Sequence, residues 1–178
     1  MPIKLKFAAA TAGLWLSMLT GQAVAAPAPT LTTVGQGQFS YLFWDLYQAR
    51  LATASGKFVE YQQDRPVLLE LTYQRDIAKV EFVDATMDQW RAQHGKLGER
   101  HQRWKMRLNE LWRDVKKGDT LACLYRADGL VEFSFNGISL GVVEDSAFGP
   151  EFLDIWLGAR TTEPKLRSAL LGSNKNGS

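Results

Sequence analysis

Asp45, Tyr47, Glu70 and Tyr73 could do chemistry together if two stretches of strand-like sequence lay side by side. Each sits among apolar neighbours: Asp45 between Trp44 and Leu46, Glu70 between Leu69 and Leu71. A carboxylate on an apolar sheet is costly unless paired, so each acid needs a partner or a purpose. The purpose would be proton transfer on a substrate held in a cleft. The partner would be Arg50 or Arg75, in a structural ion pair, unless the acids simply stand on an uncovered sheet face. The structural reading is the simpler one. Both tyrosines suit a core position with one wet end equally well.

Other chemistries have less to build on. His94 and His101 are the only histidines, seven residues apart across Gly95, with no metal-site spacing. Either could serve as an axial haem ligand, but a surface histidine near a helix end explains each, and no cofactor is expected. No serine lies in a nucleophile-elbow context. Gly35-x-Gly37 lacks the third glycine and the following helix of a dinucleotide site. Cys123, the only cysteine, can form no internal disulfide and reads as a small core residue on a strand.

The elements that would position these residues follow from periodicity. Val34 to Thr53 reads as one long strand, apolar on both faces in its first half and so covered on both sides. Phe58 to Tyr61 reads as a short strand. Val67 to Tyr73 reads as another, with Val67, Leu69, Leu71 and Tyr73 on one face. The period then changes. Asp76 to Val83 suggests a short helix, and Thr86 with Gln89 a capping box for a second one ending at His94-Gly95. Over 97–117, Trp104, Leu108, Leu111, Trp112 and Val115 keep the spacing of one buried helix face. Asp128-Gly129 and Asn136-Gly137 mark tight turns dividing strands at about 120–126, 130–135 and 138–143. Helices close the chain at Phe148 to Leu157 and after Pro164. The pattern is α+β, with helices on a largely antiparallel sheet.

Residues 1–25 read as a cleaved secretory signal: Lys4 and Lys6, the apolar run Phe7 to Leu19, then Ala23-Val24-Ala25. Without Lys4 and Lys6 the chain keeps 19 basic against 19 acidic side chains. A zero net charge gives no reason to expect a nucleic-acid partner. An exported chain without disulfides points to a bacterial periplasm. Residues 26–33 form a loose leader, 34–172 one domain and 173–178 a flexible tail, with no transmembrane segment after the signal. The stretch 96–117 carries a net charge of +5. That is a solvated helix face or, alternatively, a docking surface for an envelope protein partner.

Gly35-Gln36-Gly37 leading into Tyr41 to Leu51, then Pro66 to Tyr73, Trp112 to Asp119, Phe148 to Leu157 and Pro164 to Gly172, together resemble bacterial chalcone isomerase-like proteins. The resemblance implies an open-faced β-sandwich, helices packed on one face of a large sheet, and a cleft between them. That family includes true isomerases, fatty-acid binders and haem-associated members. In the isomerases and fatty-acid binders an arginine follows the glycine motif, and Phe39 stands at that place here. The enzymes' threonine ahead of the strand tyrosine is matched by Leu42, while Tyr47 itself is kept. Ring closure of a chalcone needs a cation to hold the phenolate and hydroxyl donors for developing charge. The expected function is therefore non-catalytic binding of a small amphipathic, fatty acid-like molecule through Phe39, Tyr47, Arg50 and Tyr73. The alternative is an isomerase (intramolecular lyase) acting on a phenolic or enone substrate, using Tyr47 with Asp45 or Glu70.

Overall fold

The structure is a computed structural model and describes residues 30–173 apart from residue 42. The signal sequence, Leu42 and almost all of the expected tail lie outside the described residues. Six strands form one antiparallel sheet in chain order: β1 (Thr32–Tyr41), β2 (Trp44–Thr53), β3 (Val67–Tyr73), β4 (Thr120–Tyr125), β5 (Val131–Phe135) and β6 (Ile138–Val143). The helices are α1 (Tyr61–Asp64), α2 (Lys79–His94), α3 (Glu99–Leu111), α4 (Phe148–Leu157) and α5 (Pro164–Leu170). This α+β arrangement is the one expected.

Alternation on β3 decides which way the sheet faces. Val67, Leu69, Leu71 and Tyr73 are buried, whereas Leu68, Glu70 and Thr72 are only half-covered. The buried face continues through Leu121, Cys123 and Tyr125 of β4 and Val131 and Phe133 of β5. Against it lies α4, apolar on nearly every side and buried from Phe148 to Leu157 except at Pro150, Glu151 and Asp154. Gly149 allows α4 to approach, because a Cβ there would meet the Tyr125 ring at 2.5 Å. Helices α2 and α3 pack outside α4 through Trp90 and Trp104, 5.3 Å apart and each within 6.1 Å of Phe148. Full burial of such side chains is worth about 1.5–3 kcal/mol each. At the β1 edge, α5 sits where Gly35 and Gly37 leave room. A Cβ on Gly35 would come within 2.2 Å of the Ala169 carbonyl oxygen.

Four elements differ from expectation. Val34 to Thr53 is a hairpin rather than one covered central strand. The chain reverses between Tyr41 and Trp44, which pair with each other, and Tyr41, Phe43 and Trp44 stand 63, 98 and 63 % exposed at the tip. Phe58 to Tyr61 forms no strand, because the Asp64 carboxylate accepts from the Val59 and Glu60 amides and turns the chain into α1, which starts at Tyr61. The two helices expected over 76–94 are one. Its amino end is held by Glu81 accepting from the Ala78 amide, and Thr86 is interior, its hydroxyl donating to the Phe82 carbonyl. The helix expected over 97–117 stops at Leu111, after which Val115 pairs its backbone with Ile77. Trp112 and Val115 still face inward, so the helical spacing identified the right buried residues over too long a helix. The tight turns at Asp128-Gly129 and Asn136-Gly137 are where they were expected, with φ of 85° and 79° at the glycines.

Candidate functional site

A cavity of about 570 Å³ opens between the inner face of β1–β3 and the helices α2 and α4. The sheet supplies Phe39, Tyr47, Leu71 and Tyr73; α2 supplies Phe82, Ala85, Thr86 and Gln89; α4 supplies Phe152, Ile155 and Trp156; Trp112 comes from the segment after α3. The rings join in series: Phe39 to Tyr47 at 5.1 Å, Tyr47 to Tyr73 at 5.9 Å, Tyr73 to Phe82 at 6.1 Å and Phe82 to Trp112 at 4.9 Å. Trp112 continues to Phe152 and Phe152 to Trp156, whose indole N–H donates back to the Tyr47 hydroxyl at 2.9 Å. An aromatic belt thus closes around the space. Its size suits one small organic molecule.

Polar groups on this wall are few and mostly donors. Tyr47 accepts from Trp156, which leaves its own O–H free to donate. The Tyr73 hydroxyl makes no hydrogen bond among the described residues, and the buried Trp112 Nε1 has no partner. Burial pushes the Tyr47 and Tyr73 phenols well above their ordinary range, and the Glu163 carboxylate raises Tyr47 further. Both therefore stay neutral donors near neutral pH and are poor general bases. The rim carries Arg75, its guanidinium over the Trp44 ring, together with Asp76, Glu81, Asp88 and Glu163. Asp76 and Glu81 are engaged with the Lys117 and Ala78 amides, and Asp88 with Arg91.

The structure separates the residues singled out in the sequence. Phe39, Tyr47 and Tyr73 meet on the cavity wall. Arg50 does not: it lies on the opposite sheet face, 2.5 Å from Glu70, and also donates to the Thr33 hydroxyl. Glu70 is therefore in a structural ion pair, and Asp45, exposed, accepts from the Ser40 hydroxyl beside the hairpin tip. Neither acid can reach a molecule in the cavity. Sequence reasoning missed Phe82, Thr86 and Gln89, although their spacing along α2 puts them on one helix face. It also missed the unpartnered Trp112 N–H, since that residue looked like plain core.

The basic stretch of α3 is largely tied down by its own chain. Lys105 pairs with Asp84 at 2.8 Å, Arg107 with Glu110 at 2.9 Å, and Arg100 with Asp145 at 4.0 Å. Cys123 is fully buried on β4, and burial holds its thiol protonated. His94 and His101 are not isolated: the fold brings Glu151 of α4 between them. A spacing rule along the chain could not find a third group fifty residues away.

The family model for chalcone isomerase-like proteins matches residues 30–172. The chain belongs to that family. Among solved structures, a fatty-acid binding protein of Arabidopsis thaliana is similar to this chalcone isomerase-like protein. The TM-score is 0.60 at 12 % identity, over 84 % of this chain and 90 % of the other. At that identity the likeness concerns the fold. No curated protein matches the sequence. No helix among the described residues of this family member is long and apolar enough to cross a membrane.

Proposed function

We propose that this chalcone isomerase-like protein binds a small amphipathic, fatty acid-like molecule in the cavity between sheet and helices, without transforming it. The observation that carries this reading is the closed aromatic belt, in which the Trp112 N–H is buried without a partner and the Tyr47 and Tyr73 O–H groups have no acceptor among the described residues. An apolar chain fits the rings, and an oxygen-bearing end satisfies the donors. The structural neighbour, a fatty-acid binding protein, supports that ligand class. The acidic rim favours a headgroup that enters protonated or neutral, since burial and nearby carboxylates both penalise a second negative charge. Catalysis by ring closure has little support. By the family resemblance Phe39 stands where the isomerases keep an arginine, and Asp45 and Glu70 are off the cavity.

The signal-like residues 1–25 support a periplasmic location as part of the same proposal. The test is native mass spectrometry of the protein purified from its own periplasm, followed by denaturation and analysis of released small molecules. The expected result is one acyl-bearing molecule per chain, lost in Ala85→Trp, which fills the cavity mouth from an exposed helix position. A clean apo mass, together with no displacement of a fluorescent fatty acid in vitro, would sink the reading.

A further inference from the structure

We propose that His94, His101 and Glu151 form a binding site for a divalent transition metal, with zinc the ion their ligand set fits best. The three ligand atoms all lie within 4.8 Å of one another. His101 Nε2 is 3.0 Å from Glu151 Oε2, and His94 Nε2 is 3.8 Å from the same oxygen. Zinc bonds of about 2.0–2.2 Å set tetrahedral donor atoms roughly 3.3 Å apart, so these separations bracket what the ion requires. Small side-chain rotations close the site.

Each ligand comes from a different helix, and the packing holds two of them in place. His94 ends α2, His101 lies in the first turn of α3, and Glu151 is on α4. Trp90 Nε1 donates to the Glu151 carbonyl at 3.0 Å, which ties α4 to α2 at that point. The Trp90 and Trp104 rings flank the His101 imidazole at 5.4 and 5.2 Å. The His101 side chain is 13 % exposed, and its Nδ1 is buried without a partner. Nε2 is therefore the ring's one polar outlet, and it is aimed at Glu151. Two neutral imidazoles and one carboxylate carry a single negative charge, complementary to a dication, and two histidines with a carboxylate are a zinc ligand set. Three protein ligands leave a fourth position for water on the side where His94 meets solvent. Arg160 is the opposing charge: its Nη2 lies 3.4 Å from His94 Nδ1, on an exposed side chain that can swing away.

None of these residues lines the aromatic cavity, so the site is independent of the amphipath-binding role. Its consequence would be mechanical. A metal here would pin α2 and α3 to each other and to α4 beneath them.

The test uses the metal-stripped folded protein, titrated with Zn²⁺ in competition with a chromophoric chelator. One equivalent should bind, and Zn²⁺ should raise the melting temperature. His94→Ala and Glu151→Gln should each weaken binding tenfold or more and remove the melting shift. Arg160→Ala should tighten binding by relieving like charge. His94 is exposed at a helix end, so its replacement leaves the core intact, and circular dichroism verifies the fold of each variant. Absence of stoichiometric zinc uptake by the unaltered protein overturns the proposal. So does uptake that the folded His94→Ala and Glu151→Gln proteins retain in full.

Discussion

On β3, Tyr73 and Glu70 are three residues apart and look in opposite directions. Tyr73 enters the aromatic belt with its hydroxyl unanswered, while Glu70 answers Arg50 of β2 across the outer face. On β2, Tyr47 and Arg50 repeat the same split. The two inner-face phenols keep an O–H with no acceptor among the described residues, and the outer-face Arg50 and Glu70 have found each other. A mid-strand polar residue thus faces the cavity or forms a strut according to parity alone, and parity can be read only once the covered face is known.

The comparison can be broken most forcefully at Phe133, fully buried on β5 against Trp112, Phe148 and Phe152. Phe133→Ala should cost about 3–5 kcal/mol in urea unfolding. A loss under about 1 kcal/mol would mean that the inner face is loosely packed. Gly35→Ala comes next, because its Cβ would collide with backbone carbonyls of α5 rather than with a flexible side chain. About 1–3 kcal/mol should be lost, and hydrogen exchange should rise in α5 before it rises in β4.

Tyr73→Phe sharpens the distinction between binding and stability. Fatty acid affinity should fall about tenfold, in line with one lost hydrogen bond of about 1–1.5 kcal/mol, with the unfolding midpoint nearly unchanged. Equal losses in both would make the hydroxyl structural. The smallest effect belongs to the outer face. Arg50→Ala and Glu70→Ala, each about a third exposed in the wild type, should cost less than about 1 kcal/mol and leave ligand binding untouched. A double-mutant cycle would show whether the pair has any coupling beyond that.

Much of the fold was legible because the deciding signals were local. Asp128-Gly129 and Asn136-Gly137 require positive φ and so announce their turns. The buried alternation Val67, Leu69, Leu71, Tyr73 can only be a strand face. The hairpin tip was illegible for the opposite reason. Tyr41, Phe43 and Trp44 carry no turn chemistry, and three exposed aromatics look like strand core until the chain is seen to reverse there. Thr86 misled because the same hydroxyl that caps a helix start can bond back within a helix. Of the candidate site, Phe39, Tyr47 and Tyr73 were within reach because three neighbouring strands carry them in register. Phe82 stood within reach on its helix face, whereas the placing of Trp112 and of the His94–His101–Glu151 group depends on contacts between distant segments, which no periodicity encodes.

The strand order also bears on how the chain acquires its structure. Every strand pairs with its predecessor, and within β1–β2–β3 and β4–β5–β6 the connections are all much shorter than the one between β3 and β4. Only the β3–β4 seam must wait for the segment 74–119, with α2 and α3, to be drawn in. Loop-closure entropy makes that seam the late, rate-setting event. Substitutions along it should slow refolding, whereas substitutions at the two glycine turns should act mainly within the second half. Stopped-flow refolding of Leu69→Ala against Gly137→Ala would reveal the order.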